Sequence, residues 1–171
     1  MINTELNLSI NEPKWEQLLP DIFQTAEKVV SQTVSFIASQ EPLAFFDSEK
    51  TLSFNLCLSD DQEVHTLNKE FRHMDKPTNV LSFANIDDPD FSQMSQLPTI
   101  EMGDIIIALQ TLQNEADIKQ ISLHDHFCHL LTHGVLHLLG YDHIIDEEAE
   151  HMEDLEIKIL DLFNIDNPYK E

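Results

Sequence analysis

Histidines are concentrated in one part of the sequence. Seven of the nine fall between residues 124 and 151. A single histidine there would most simply be a core or surface side chain. His133 and His137, however, are four residues apart and therefore one helical turn apart on one face, a spacing by which one helix supplies two imidazoles to a metal ion. The pair therefore predicts a metal site.

A third ligand has to come from outside this helix. His129 precedes His133 by four residues, but at the helical rise it would lie about 12 Å from His137, too far to share one ion. Gly140 is suited to end the helix in the left-handed conformation, after which the returning chain brings His143 within reach. Three neutral imidazoles with an open fourth position are typical of a catalytic zinc site.

Position 134 bears on the type of reaction. Peptidases with the H-E-x-x-H motif carry their general base directly after the first histidine, and this sequence has Gly134 there. A glycine inside a helix costs up to about 1 kcal/mol relative to alanine. We therefore expect a neighbouring strand or the substrate to approach the helix closely at this residue.

Length and composition limit the other possibilities. The 171 residues suit one domain, and a net charge of −23 excludes a general nucleic-acid coat protein. The sequence has no apolar run long enough for a membrane span and no signal-peptide pattern, which predicts a cytoplasmic protein. Cys57 and Cys128 lie in apolar segments and are expected to be buried thiols.

The apolar patterns predict the elements that must position the histidines. Alternation predicts strands at residues 6–10 and 51–59, and short apolar runs predict strands at 80–83 and 105–107 with an exposed loop between them. Helical spacing predicts helices at residues 15–38, 60–72, 122–139 and 146–163, with Pro20 marking a start or a kink in the first. Strands and helices do not alternate strictly, which favours an α+β fold.

One string of residues resembles a family signature. Residues 133–143 read H-G-V-L-H-L-L-G-Y-D-H, which resembles, almost letter for letter, the signature of the YbeY-type rRNA maturation factors, a bacterial family of zinc-dependent endoribonucleases. Residues 67–83 and 103–105 are similar to further family blocks, and the last helix fits with Ala149, Met152 and Glu156. The resemblance covers residues 60–165, whereas the first 50 carry little of the signature.

The resemblance implies a fold and a set of site residues. The fold would be a small mixed four-stranded sheet packed with about five helices, forming a single metal-dependent endoribonuclease domain over residues 1–171. His133, His137 and His143 correspond to the family's zinc ligands, with one Zn²⁺ per chain, and Arg72 to its functional arginine. His73 stands where glycine is frequent in the family, and Asn79 where Asp or Asn occurs.

The resemblance also implies a substrate and a partner. The substrate would be single-stranded RNA, specifically small-subunit rRNA whose 3′ end is matured, and the partner would be the small ribosomal subunit. A role in ribosome quality control is also implied. No binding to DNA or membranes is expected. Residue chemistry agrees for Arg72, the only arginine, because residues 69–76 carry a net charge of +1 and a guanidinium binds phosphate bidentately. So few cations predict weak binding of free RNA.

Several alternatives stay open at this point. Either water or the RNA's own 2′-hydroxyl is compatible as the nucleophile. A zinc hydrolase acting on peptides would share the histidine pair, although it lacks the usual glutamate. A non-catalytic ribosome assembly factor with a structural metal would need a fourth protein ligand, for which Asp142 or His129 is nearest.

Overall fold

This computed structural model describes residues 2–170 of the chain. They contain four strands and seven α-helices. Met1 and Glu171, the outer residues of the predicted domain 1–171, lie outside the described residues. The elements are β1 (Asn3–Ile10), α1 (Lys14–Leu18), α2 (Ile22–Gln40), β2 (Thr51–Ser59), α3 (Asp61–Arg72), β3 (Val80–Ala84), a 3₁₀ turn (Asn85–Asp87), α4 (Phe91–Met94), β4 (Thr99–Ala108), α5 (Leu109–Lys119), α6 (Leu123–Leu138) and α7 (Asp146–Asp161). The predicted α+β class is confirmed.

The strands form one mixed sheet in the order β1-β2-β4-β3. The central strands β2 and β4 are parallel to each other and β2 is parallel to β1, whereas β3 pairs antiparallel with β4 at the edge. Side chains that alternate along β2 and β4 therefore divide between two faces of the sheet. The predicted four-stranded mixed sheet is confirmed.

The two faces of the sheet are covered differently. The inner face packs Phe54 and Ile105 into the main core with side chains of α2, α6 and α7, among them Val34, Val135 and Ile159. The outer face is covered only in part, by α3, whose Val64 packs with Leu81 and Ala108 in a smaller cluster. Helix α6, which carries the predicted metal ligands, is therefore held rigidly between the sheet and other helices.

Some predicted boundaries differ from the structure. The prediction of a single helix at residues 15–38 is wrong. The helix is interrupted around Pro20, which separates α1 from α2, and α2 begins only at Ile22. The strand expected at 105–107 extends back to Thr99, and the loop before it contains the 3₁₀ turn and α4. Helix α5 was not predicted, because only Leu109, Leu112 and Ala116 of its side chains are buried and they give a weak apolar pattern.

The close approach expected at Gly134 comes from the sheet. A β-carbon added at Gly134 would lie 3.0 to 3.3 Å from side-chain atoms of Ile105 on β4. Glycine therefore lets α6 lie close against the central strand. The neighbouring strand, and not a substrate, occupies this space.

Two further sequence expectations concern cysteines and membrane spans. Cys128 is buried and Cys57 is half-buried, and both are free thiols. Burial raises the pKa of the Cys128 thiol to about 12, so it stays protonated. Within the described residues, none of the helices has the length and apolar character that crossing a membrane requires.

Candidate metal centre

The histidine pair of α6 lies as its spacing predicts. The Nε2 atoms of His133 and His137 are 3.0 Å apart, and the ring centroids are separated by 4.6 Å. Both side chains are only partly buried. The helix thus presents two ring nitrogens side by side at its C-terminal end.

A tight turn after α6 brings in the third histidine. Gly140 has φ +106°, a conformation that L side chains rarely adopt, and Tyr141 N–H donates to the carbonyl of Leu136 at 3.0 Å, the bond that closes a Schellman motif. The chain reverses there, and the ring of His143 lies 5.0 Å from that of His137, centroid to centroid. This is the turn that the sequence predicted at Gly140.

The three histidines form a cluster that could hold a metal ion. Their ligand atoms all lie within 4.8 Å of one another. Zinc binds histidine nitrogens at about 2.0 to 2.1 Å, so ligand atoms of one ion are separated by up to about 4 Å. Small side-chain adjustments would therefore bring the three donors onto one ion.

Hydrogen bonds on the opposite ring nitrogens support this interpretation. Nδ1 of His133 lies 3.1 Å from Oε2 of Glu156, and Nδ1 of His137 lies 3.0 Å from the carbonyl oxygen of Tyr141. Both acceptors require the proton to be on Nδ1, which leaves each Nε2 with a free lone pair toward the cluster. Metal-binding histidines are usually held in this way, so the donor set fits a divalent ion with nitrogen ligands.

Glu156 is a carboxylate without solvent contact. It is 0% exposed, and it also bonds Nε2 of His129 at 2.8 Å and accepts the hydroxyl proton of Tyr169 at 2.8 Å. Burial by itself raises the pKa of Glu156, but the hydrogen bonds from His129 and His133 outweigh it and lower the pKa to about 2. Glu156 is therefore ionised and orients His133.

The environment of His137 keeps its imidazole neutral. Burial, followed by the proximity of His133 and His143, lowers the pKa of His137 to about 4. A neutral imidazole is the form that binds a metal ion. At neutral pH His137 therefore needs no deprotonation before it can act as a ligand.

The turn that carries His143 is attached to two other segments through Glu41. The hydroxyl of Tyr141 donates to one oxygen of Glu41, directly after α2. The other oxygen of Glu41 lies 2.8 Å from Nε2 of His151 on α7. Glu41 thus connects α2, the turn and α7, and it limits movement of the chain on either side of His143.

Arg72 lies in the same cavity as the three histidines. This cavity has a volume of about 560 Å³ and is lined by α3, β3, the segment between them and the end of α6. The guanidinium donates to the carbonyl of Ser82 and stacks over the ring of Phe83, 5.3 Å from its centroid. Arginine has five N–H donors, so several stay available to a ligand in the cavity.

The segment after α3 gives the cavity its shape. His73 is in the left-handed conformation, with φ +57°, which explains why glycine is suited to this position. The buried amide of Asn68 donates to the carbonyl of Lys76 at 2.9 Å. Asn79 donates to the carboxylate of Glu115 at 3.1 Å. The side-chain amide of Asn79 therefore bonds to α5.

The charges that line the cavity are balanced in spite of the acidic chain. Arg72 and Lys76 contribute two positive charges, and Asp87 and Asp142 contribute two negative ones. A bound divalent cation would therefore make the cavity locally positive, as a phosphate group requires.

The structure also bears on the alternatives that the sequence left open. His129 bonds Glu156 and Tyr169, and within residues 2–170 neither it nor Asp142 belongs to the cluster of three donors. The fourth ligand that a closed structural metal site would need is thus not in place among these residues. The glutamate nearest to the cluster, Glu156, is fully buried and orients His133, so it does not replace a peptidase general base.

Sequence reasoning missed the residues that support the three histidines. Glu41 is 100 residues before Tyr141 and 110 before His151, and no local pattern indicates such a pairing. The family resemblance indicates Glu156 only as part of the last helix. Its position inside an apolar helical face, with buried Met152, Leu155, Ile159 and Leu160 around it, was a signal, because a buried carboxylate requires partners.

Comparisons with known proteins find similar chains. The family model described as "Endoribonuclease YbeY" matches residues 9–164. A protein named Endoribonuclease YbeY from Zymomonas mobilis is 44% identical over 100% of this chain and 94% of its own length. Another of that name from Paramagnetospirillum magneticum is 38% identical over 99% of this chain and 98% of its own. The solution structure of TM1509 from Thermotoga maritima covers 97% of this chain and 99% of its own, with a TM-score of 0.49 and 21% identity.

Proposed function

The chain belongs to the Endoribonuclease YbeY family, and from that premise we propose that it cleaves single-stranded RNA with one zinc ion, held by His133, His137 and His143, and with Arg72 as a catalytic residue. The biological reaction is maturation of the 3′ end of small-subunit rRNA, together with ribosome quality control. The whole of residues 1–171 acts as one metal-dependent endoribonuclease domain.

One observation carries this proposal: the three histidine donors and the only arginine of the chain line one cavity. A bound zinc ion supplies a positive charge that polarises a phosphodiester and stabilises the charge developing on it. His133 and His137 do not exchange protons in this scheme, because their Nδ1 protons are held by Glu156 and by the carbonyl of Tyr141.

Arg72 binds and orients the phosphate. Its bond to the carbonyl of Ser82 and its stacking on Phe83 fix the guanidinium plane before substrate arrives. The remaining N–H groups then bind two phosphate oxygens, and charge that develops in the transition state strengthens these bonds. Because the group is preorganised, little further ordering is needed.

The partner that delivers the substrate is the small ribosomal subunit. With nine Lys plus Arg against 32 Asp plus Glu, the chain repels free RNA beyond the immediate site. Binding to a subunit brings the RNA end to the cavity and offsets this repulsion. The reaction would then take place in the cytoplasm, without a role for DNA or membranes.

The test combines metal analysis with RNA cleavage. Purified protein is expected to contain one zinc per chain and to cleave a labelled single-stranded RNA. The variant His133→Ala should lose both properties. The variant Arg72→Ala should lose cleavage and retain zinc. His124→Ala is the matched control, because His124 is exposed on the same helix, outside the donor cluster. Cleavage by a His133→Ala protein shown to be metal-free would contradict the proposal, as would cleavage of casein in place of RNA.

Product ends distinguish the two possible nucleophiles. A 2′,3′-cyclic phosphate indicates attack by the 2′-hydroxyl, and a linear phosphate as the first product indicates attack by water. Substrates with a single 2′-deoxy residue at the cleavage position give the same answer independently, because only the first route needs that hydroxyl.

A further inference from the structure

A groove on the outer face of the sheet is lined in part by residues next in sequence to residues of the histidine cavity. It has a volume of about 610 Å³, and its floor is formed by the three strands β1, β2 and β4. Leu67 and Phe71 of α3 line one side, and Phe83 of β3, which contacts Phe71, also lines the groove. Because α3 covers only part of this face, the groove is open to solvent.

Phe71 has an unusual exposure for an aromatic side chain. It is 64% exposed, although exposed positions of a helix are usually occupied by polar side chains. Its ring lies edge-on to Phe83, with 6.0 Å between centroids, so its position is defined by contact. An aromatic ring that is both exposed and held in place is suited to stack on a flat ligand.

Phe83 connects this groove to the active-site cavity. One contact of its ring is with Phe71, and another is with the guanidinium of Arg72, 5.3 Å away. Arg72 lines the cavity of the histidines, and Phe71 lines the groove. A nucleotide chain with its phosphate at Arg72 would therefore have a neighbouring base within reach of Phe71.

The floor of the groove offers hydrogen-bonding groups. The amide of Asn7 donates to Ser53 and to the carbonyl oxygen of the Asn55 side chain, which leaves the N–H groups of Asn55 without a partner within residues 2–170. Asp104 is exposed, and its carboxylate likewise makes no side-chain hydrogen bond or ion pair in the described part of the chain. Burial raises the pKa of Cys57, so this thiol stays neutral in the floor.

We propose that this groove is a nucleobase subsite: the base next to the cleaved phosphodiester stacks on Phe71 and is recognised at its edge by Asp104 and Asn55. The proposal rests on the proposed function and names a substrate contact for it. A carboxylate accepts hydrogen bonds only, so the subsite favours guanine, whose Watson–Crick edge offers two adjacent N–H donors. Single-stranded RNA is commonly recognised by stacking and base-edge contacts of this kind.

The distribution of charge supports a base in the groove and the backbone outside it. Asp104 in the floor repels phosphate, whereas Lys69, Arg72 and Lys76 lie at and just beyond the C-terminal end of α3, beside Phe71. The backbone is thus attracted to the end of α3, and the uncharged base is the part of RNA that can enter the groove. An acidic peptide would meet the same repulsion without the gain from stacking.

The experiment measures kcat/KM for short RNAs in which one nucleotide at a time lacks its base. With intact RNA, Phe71→Ala is expected to lower kcat/KM by about 5- to 150-fold, the range that corresponds to loss of one base–aromatic stack. With RNA that lacks the base at one particular position, wild type and Phe71→Ala should be equal. Phe71→Tyr retains the ring and should stay close to wild type.

Two variants complete the test. Asp104→Asn should reduce the preference for guanine at that same position and leave the other bases unchanged. Phe23→Ala is the matched control, because Phe23 is a partly exposed phenylalanine of α2. Zinc content and the free energy of unfolding are measured for every variant, and Phe71→Leu replaces Phe71→Ala if the latter is unfolded.

Each outcome decides for or against the subsite. If Phe71→Ala cleaves intact RNA as well as wild type does, the subsite is refuted while the proposed function stands. The conclusion is the same if the kcat/KM of Phe71→Ala is below that of wild type by the same factor on every RNA that lacks a base. Loss of small-subunit binding by Phe71→Ala with unchanged RNA cleavage would assign the groove to a protein partner and also refute it. If wild type with bound zinc cleaves no RNA, the proposed function itself has failed.

Discussion

The carboxylate of Glu156 lies 3.1 Å from Nδ1 of His133, on the side of the imidazole opposite to the metal centre. Glu156 is on α7 and is fully buried. The carboxylate would therefore act on a bound metal ion only through the orientation and basicity of the ring. Because it also bonds His129 and Tyr169, its removal would take a hydrogen-bond partner from three side chains, of which His129 is buried.

The variant Glu156→Gln tests this relationship. We expect it to lower zinc affinity by about 10- to 100-fold, the usual cost of losing a group that orients a metal ligand. Replacing hydrogen bonds to a buried carboxylate by weaker bonds to an amide should also destabilise the fold by about 2 kcal/mol. Zinc affinity is measured by competition with a chelator, and stability by urea unfolding. Glu150→Gln, an exposed change on the same helix, should alter neither, and unchanged zinc affinity in Glu156→Gln would refute the role.

The bond between Tyr141 and Glu41 should govern how long the metal stays bound. In Tyr141→Phe the carbonyl that accepts from His137 is kept, and only the hydroxyl bond to Glu41 is lost. The turn with His143 then moves more freely, and we expect faster zinc release to excess chelator, with little change in the overall fold. His151→Ala removes a half-exposed partner of Glu41 and should have a smaller effect. Equal release rates in Tyr141→Phe and wild type would contradict this role.

Gly103 determines how closely β3 lies against β4. It has φ +134°, and an added β-carbon would lie 2.1 Å from the carbonyl oxygen of Phe83. Gly103→Ala should therefore cost about 3 kcal/mol or more, because backbone strain adds to displacement of β3. Urea unfolding measures this cost. In Gly134→Ala the clash is with the side chain of Ile105 alone, and gained helix propensity offsets part of it, so the cost should be about 1 kcal/mol. The reverse order would show that β3 adjusts easily.

Local sequence patterns predicted the histidine cluster because its parts are close in sequence. His133, His137, Gly140 and His143 lie within one helical end and one turn, where spacing alone limits the geometry. Strand β2 was predicted with the bounds that the structure has, because its apolar residues alternate without interruption. The two-histidine spacing and the C-terminal glycine are thus sufficient to indicate the cluster.

The unpredicted parts depend on contacts between distant residues. Helix α5 turns only a few apolar side chains to the core, and its Glu115 bonds Asn79 and His126 on other elements. The first half of β4 includes exposed Thr99 and Glu101, which weaken its apolar pattern. Tertiary contacts, and not local preference, therefore define these segments.

His126 should make the stability of the fold sensitive to mild acid. It is 1% exposed, Nε2 bonds Glu115 at 2.8 Å, and Nδ1 has no partner within the described residues. Burial, opposed in part by Glu115, lowers the pKa of His126 below its ordinary value of 6.5. As the pH falls, His126 therefore binds a proton in the unfolded chain at a higher pH than in the folded protein. The contribution of His126 to the free energy of unfolding is present above pH 6.5 and is lost as the pH falls toward the folded-state pKa.

The variant His126→Gln isolates that contribution. Glutamine can still donate to Glu115 but does not titrate, so its free energy of unfolding should decline less than that of wild type between pH 7.5 and pH 5. Urea unfolding at several pH values measures the difference. His124→Gln, an exposed change on the same helix, should follow the wild-type curve. Parallel curves for His126→Gln and wild type would show that His126 does not contribute.

The small number of cations near the site should make RNA cleavage only weakly dependent on salt. Arg72 and Lys76 line the cavity and Lys69 lies one turn before Arg72, so at most about three phosphates are neutralised. At about −0.7 per phosphate for single strands, a plot of log kcat/KM against log salt should have a slope near −2. Lys76→Ala should reduce the steepness by about 0.7, whereas Lys158→Ala, paired with Asp154 on α7, should not. A slope steeper than about −5 would require more phosphate contacts than these residues provide, and the RNA path would then have to follow another surface.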